Sequence, residues 1–153
     1  MSNAELVKLT ISELAPKIRS REVSPVEVTE AALAQAERLQ PIVNSFITIL
    51  ADQSRRQAKE QEEALARGDY RGPLQGIPIG IKDNLATGGI RTTLGSKVLA
   101  DHVPAEDAHV VRLCKEAGAV VLGKENLEEF AAGSTSNNPH YGAVHNPWAL
   151  DRI

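Results

Sequence analysis

The clearest alternation of apolar and polar positions lies in residues 77–82, which read Ile-Pro-Ile-Gly-Ile-Lys. This period of two predicts a short β-strand whose three isoleucines share one face. Lys82 falls on the opposite face, at the point where the strand ends. One interpretation is a solvated lysine of the ordinary kind. The other is a functional lysine, and the segment by itself leaves both open.

A second apolar run lies further along the chain and ends in another lysine. Residues 106–117 have a helical pattern, and residues 119–123 (Ala-Val-Val-Leu-Gly) predict a strand that stops before Lys124. A strand, helix and strand in this order are typical of a right-handed crossover between parallel strands. Lys82 and Lys124 would then both lie at carboxyl ends of parallel strands, where open α/β sheets place their chemistry.

The first seventy residues are predominantly helical in pattern. Ser24 and Glu27 are spaced to cap a helix, which Pro41 is expected to end. A short β-like run at 46–49 leads into a polar helix that ends at Gly68 and is expected to lie on the surface.

Bulk properties narrow the class of protein. The chain has 153 residues and a net charge of −3, and it contains a single cysteine. The length suits one domain with a core, and the charge argues against nucleic acid or an anionic membrane as a direct partner. No long apolar run or leader pattern is present, so a cytoplasmic protein is expected. The four histidines lack metal-ligand spacing, and no phosphate-binding or dinucleotide motif occurs, so neither a metal nor a cofactor is expected.

Residues 134–153 carry little regular pattern. Long irregular segments in compact domains tend to be functional or disordered. The segment contains Trp148, and an exposed tryptophan is uncommon, so this side chain is expected to dock on another surface, such as a second copy or a partner chain.

Several segments in this order resemble the amidase signature family. The similarity runs from about Leu9 to the last residue, and the segments that carry it are Gly76–Asn84, Ala117–Lys124 with Asn126, Glu129–Ala131, Gly133-Ser134, Asn138-Pro139, Tyr141-Gly142 and Asn146–Trp148. The resemblance implies an α/β fold, the amino-terminal part of a mixed sheet flanked by helices. It further implies a single, incomplete domain made of a helical segment 1–72, a βαβ segment 73–133 and an irregular segment 134–153 close to the active site.

The resemblance also implies an activity. The family hydrolyses carboxamide C–N bonds with a nucleophilic serine, a second serine held by a cis peptide bond, and a lysine. Lys82 matches the family lysine, and Ala131, Gly133 and Ser134 match a substrate-binding segment. A lysine base must be neutral, whereas a free lysine has a pKa of about 10.4, so Lys82 is expected to be covered by protein. The family includes free amidases and the glutaminase-type chains of tRNA-dependent amidotransferases, and these alternatives stay open.

The chain also departs from the family pattern. In the family the Gly-Gly-Ser-Ser-Gly-Gly run and the nucleophile follow the segment that matches 151–153, so both serines are expected to be missing and this chain to be inactive alone. The complete parent would act on a small-molecule amide. The alternative is a non-catalytic α/β fragment or binding module, which pairs with a copy of itself or with a complementing chain. Glu125 stands where many members have threonine, and no functional consequence is expected of it.

Overall fold

A computed structural model describes every residue from Met1 to Ile153. The chain forms five α-helices and five β-strands: α1 (Asn3–Leu6), α2 (Ile11–Arg19), α3 (Pro25–Val43), β1 (Phe46–Ile49), α4 (Ala51–Ala66), β2 (Pro78–Lys82), α5 (His109–Glu116), β3 (Val120–Glu125), β4 (Asn137–Asn138) and β5 (Gly142–Ala143). Two 3₁₀ turns occur at Lys97–Leu99 and Glu129–Ala131. None of the helices combines the length and the apolar composition that spanning a membrane requires.

The main sheet has three strands in the order β1-β3-β2. At one end of the β2–β3 pair the N–H of Val120 donates to the carbonyl of Ile77 at 2.9 Å, and at the other the N–H of Asp83 donates to the carbonyl of Glu125 at 3.0 Å. Both residue numbers rise together, so the two strands are parallel. With α5 between them in the chain, they form the predicted crossover, and the α/β fold is confirmed.

Strand β1 lies on the other side of β3 and runs antiparallel to it, with Thr48 opposite Lys124 and Ile49 opposite Gly123. Gly123 is required by this contact, because a Cβ at that position would lie 2.4 Å from the carbonyl oxygen of Thr48. The alternation of residues 46–49 predicted a strand but not its partner, since strand pairing depends on the whole fold.

The helix caps follow the sequence pattern, but one predicted helix end is wrong. The backbone N–H of Ser24 donates to the Glu27 carboxylate at 2.9 Å, as expected of a capped helix. Helix α3 continues through Pro41 to Val43, where the sequence predicted a stop. In the last turn the proline removes a single backbone hydrogen bond. The N–H of Asn44 still donates to the carbonyl of Gln40 at 2.9 Å, so the helical geometry persists beyond the proline.

Helix α5 begins at His109, later than the residue 106 that the pattern predicted. The residues before it serve a loop contact instead. The Asp107 carboxylate accepts a hydrogen bond from the N–H of Gly88 at 2.7 Å, and the N–H of Ala108 donates to the carbonyl of Ala86 at 2.8 Å. These tertiary bonds compete with the first helical turn.

The chain divides into two compact units. The first comprises residues 1–36, 50–79 and 113–122, and the second comprises residues 37–49, 80–112 and 123–153. The first unit contains an apolar core built from Leu6, Leu14, Ile18, Val23, Val28, Ala31, Leu65 and Ile77. The second contains the loops that follow β2 and β3, together with the small β4–β5 hairpin. The division into segments 1–72, 73–133 and 134–153 stays a prediction.

Replacing Ile18 by alanine should destabilise the first unit strongly. Ile18 is 1% exposed within the apolar core, and truncating a buried isoleucine costs about 2–5 kcal/mol in unfolding free energy. Ile11 on the same helix is 46% exposed, so Ile11→Ala is a matched control expected to stay within about 0.5 kcal/mol of wild type. Urea unfolding followed by circular dichroism measures both, and equal effects of the two substitutions would contradict this core.

Candidate active site

Lys82 is the last residue of β2, and its side chain is exposed. The isoleucine before it points the other way, since Ile81 is 5% exposed, and Ile77 is 2% exposed. The strand therefore has a buried isoleucine face, and Lys82 lies on the opposite one, as the alternation predicted. Its ammonium group is accessible at the carboxyl end of the parallel pair.

Asp83, the residue after Lys82, is fully buried and fixed by two segments. One carboxylate oxygen, Oδ2, accepts from the N–H of Thr93 at 2.8 Å and from its hydroxyl at 2.5 Å. The carbonyl of Asp83 accepts from the N–H of Leu94 at 3.1 Å. The backbone that carries Lys82 is thus held on its carboxyl-terminal side, which limits the positions that the Lys82 side chain can reach.

Lys124 on β3 lies fully buried beside this aspartate. Its Nζ donates to the carbonyl of Leu85 at 2.7 Å, to the hydroxyl of Thr87 at 2.8 Å and to the hydroxyl of Thr92 at 2.9 Å. The second oxygen of Asp83, Oδ1, accepts no hydrogen bond and lies 3.7 Å from the Lys124 Nζ. A buried charge is costly unless it is paired and hydrogen-bonded, and Lys124 satisfies both conditions.

Sequence reasoning placed Lys124 at a strand end but missed its function and its threonine partners. The available signal was an entirely apolar strand that ends in a lysine, followed by no helix that could expose it. Thr87, Thr92 and Thr93 gave no signal, because they lie in a loop without periodicity. The structure brings Lys124 and Asp83 together as a buried pair immediately next to Lys82.

Gly80 and Glu125 lie on neighbouring strands at the same end of the sheet. A Cβ on Gly80 would lie 2.0 Å from Oε1 of Glu125, so the carboxyl group occupies the space that a side chain would need. Burial raises the pKa of this carboxyl, and the positive charge of Lys82 lowers it in opposition.

The substrate-binding residues predicted from the family lie on a separate segment after β3. Ala131, Gly133 and Ser134 are all exposed, and Ala131 adopts a left-handed φ of 55°. Ser134 lines an open pocket whose other walls include His145 and Trp148, while Lys82 is not part of that lining. Trp148 is 95% exposed in this chain. The roles assigned to Lys82, Ala131, Gly133 and Ser134 stay predictions.

Two buried asparagines fix the segments around this pocket, and sequence reasoning gave them no role. The side-chain amide of Asn126 donates to the carbonyls of Asn44 and Gly142, both at 3.1 Å. The amide of Asn138 donates to the carbonyls of Gly95 and Leu127, both at 2.7 Å. Because each amide joins two loops, the segment that carries the pocket is ordered by specific polar contacts rather than by a core.

A third polar cluster connects the 3₁₀ turn after β3 with the hairpin region. Oε1 of Glu129 accepts from the hydroxyl of Ser96 at 2.6 Å and lies 2.9 Å from Nε2 of His140. The Ser96 hydrogen bond, then that of His140, lowers the pKa of the Glu129 carboxyl. The structure brings together no group of three histidine, cysteine or carboxylate side chains that could hold a metal ion.

The sequence profile of the Amidase family matches residues 27–153. The chain belongs to this family. It is 44% identical over 149 residues to the A-type chain of glutamyl-tRNA(Gln) amidotransferase from Carboxydothermus hydrogenoformans, an alignment that covers 97% of this chain and 31% of that protein. The chain therefore spans about a third of the length of the curated relatives it matches.

Solved amidase-family structures have the same fold. A fatty acid amide hydrolase superposes with a TM-score of 0.91 at 26% identity, covering 97% of this chain and 26% of that one. A protein from a vestigial complex that revealed the evolutionary origins of an s-triazine catabolic enzyme superposes with a TM-score of 0.90 at 35% identity, covering 95% of this chain and 32% of that one. The structure described above is thus a partial amidase fold.

Replacing Lys124 by methionine should destabilise this amidase-family chain by about 3–5 kcal/mol, because it leaves the buried Asp83 carboxylate without its compensating charge. Lys97 is exposed in a 3₁₀ turn, so Lys97→Met is the control and should change the free energy of unfolding by less than about 0.5 kcal/mol. Urea titration of the two variants measures both effects. A Lys124→Met protein as stable as the control would show that the pair contributes nothing to folding.

Proposed function

We propose that this chain supplies the lysine base of an amidase, which hydrolyses the C–N bond of a small-molecule carboxamide in the complete protein. The observation that carries the proposal is the placement of Lys82, exposed at the carboxyl end of a parallel strand pair within a sequence of the Amidase family. The buried Asp83–Lys124 pair supports it, because it fixes the backbone immediately after Lys82.

In the proposed reaction Lys82 acts as a general base. Its neutral amine takes a proton from a bridging serine, which takes one from the nucleophilic serine as that oxygen attacks the amide carbon. The C–N bond then breaks, ammonia or an amine leaves with a proton, and water hydrolyses the acyl-enzyme. The two serines belong to the family mechanism and are not assigned to residues of this chain. Ala131, Gly133 and Ser134 would contact the substrate, and the mechanism uses neither a metal nor a cofactor.

The relatives' names suggest a finer alternative within the same chemistry. The curated relatives are named as A-type chains of glutamyl-tRNA(Gln) amidotransferase, and such a chain would pass the ammonia it releases to a second reaction. We propose a cytoplasmic enzyme in either case. Ammonia release from simple amides by the complete protein alone favours a free amidase. Release from glutamine that depends on added partner chains favours the amidotransferase component.

In the complete protein, Lys82→Ala should reduce amide hydrolysis by about 10²–10⁴-fold, since a general base contributes a factor of this size. The fold should change little, because Lys82 is exposed. The assay is ammonia release, with circular dichroism to check folding and Lys97→Ala as a control for the loss of one surface charge. Equal rates for wild type and Lys82→Ala would remove Lys82 from the mechanism.

A second candidate function is a non-catalytic module that binds a second chain. The observation in its favour is the exposed apolar surface of the last residues, where Trp148, Leu150 and Ile153 are 95%, 50% and 63% exposed. Apolar side chains grouped in this way commonly mark an interaction surface. A copy of this chain or a complementing chain would cover them.

The 153-residue chain alone should release no ammonia from simple amides, and it should associate in solution. Light scattering measures the association, and Trp148→Ser tests whether the exposed indole contributes to it. Ammonia release above background that Lys82→Ala abolishes would contradict the first expectation. A monomer that unfolds cooperatively would contradict the second.

A further inference from the structure

Glu125 lies directly opposite the strand end that carries Lys82. It is the last residue of β3, and its carbonyl accepts the N–H of Asp83, the residue after Lys82, at 3.0 Å. This bond fixes the register of the two parallel strands at their carboxyl ends. Many members of the family carry threonine at this position, so a carboxylate here is a property of this sequence rather than of the family reaction.

The Glu125 side chain lies on the same face of the sheet as Lys82. A Cβ on Gly80 would lie 2.0 Å from its Oε1 and 2.6 Å from its Cδ, so the carboxyl group covers Gly80 on the face where that side chain would point. Successive side chains of a strand alternate between faces. Lys82, two residues beyond Gly80, therefore projects to the face that the Glu125 carboxyl covers.

The charge of Lys82 reaches this carboxyl. Desolvation raises the pKa of Glu125, and Lys82, the charged group that acts on it, lowers it again. The carboxyl therefore has a reason to attract the ammonium group: the positive charge offsets part of the cost of removing water from it. The adjacent cation, Lys124, already donates to Leu85, Thr87 and Thr92 from its buried position.

We propose that Glu125 is a positioning residue for Lys82, which holds the ammonium group over Gly80 and favours its charged form. The inference deepens the proposed function, and it rests on that function only where it concerns turnover. In the amidase reaction Lys82 has to give up its proton before it can act as a base. The Glu125 carboxylate opposes this step, so it restrains the rate at low pH while it keeps the amine in place.

The pairing can be tested on this chain without any amidase activity. A limiting amount of an N-hydroxysuccinimide acetate reagent at about pH 8 acylates neutral amines, and mass spectrometry gives the Lys82 rate relative to that of Lys97 in the same molecule. Removing the carboxylate with Glu125→Gln should raise this ratio roughly two- to fivefold, the range expected for an accessible ion pair. Glu60→Gln, at an exposed position of α4, is the matched control and should leave the ratio unchanged.

A second variant tests the geometry rather than the charge. Gly80→Ala keeps Glu125 but places a methyl group where its carboxyl lies, so the carboxyl must move. The Lys82 to Lys97 ratio should then rise in the same direction as in Glu125→Gln. An unchanged ratio in Glu125→Gln would overturn the pairing. An unchanged ratio in Gly80→Ala alone would overturn the placement of the carboxyl over Gly80.

Turnover separates this inference from the proposed function. In the complete protein, Glu125→Gln should move the acid limb of the kcat/KM profile to lower pH, and a limb that stays in place would overturn the effect on turnover. If Lys82→Ala leaves amide hydrolysis intact while the labelling ratio still responds to Glu125→Gln, the proposed function fails and the pairing stands.

Discussion

The buried ammonium group of Lys124 is the constraint on which the candidate site depends. Removing a charged amine from water costs several kcal/mol even after the protein relaxes, so the fold tolerates Lys124 only if oxygen atoms surround it. Those oxygens come from Leu85, Thr87 and Thr92, with Asp83 supplying the opposite charge at 3.7 Å. The loop after β2 therefore has to close over β3. Its order follows from the requirement of one side chain on the neighbouring strand.

This constraint reaches Lys82 through one peptide unit. Asp83 is held by Thr93 on one oxygen and by the Lys124 charge on the other, and the preceding residue inherits a fixed backbone. The two lysines at the sheet edge thus have opposite environments. One is enclosed and serves the fold. The other is exposed on the opposite side of its strand, and its chemistry depends on what covers it.

The sequence predicted the parts of this arrangement that periodicity encodes. The alternation of residues 77–82 located β2, its buried face and the exposed end at Lys82, and the apolar run before Lys124 located β3. It did not predict the enclosure of Lys124, because Thr87, Thr92 and Asp83 meet through a loop without a period. For the same reason it missed the β1–β3 pairing, the passage of α3 through Pro41 and the late start of α5. Each of these is decided by a tertiary contact and not by local preference.

The remaining step concerns what turns an exposed lysine into a base. Water stabilises an ammonium group, so a lysine in contact with solvent stays protonated near neutral pH. Lys82 is exposed, and the Glu125 carboxyl beside it also favours the charged form. Both influences oppose the proposed chemistry, and only a surface that removes water from Lys82 can offset them. It follows that Lys82 is held in position by this chain, whereas its conversion to a neutral amine requires a contact that this chain does not make with itself.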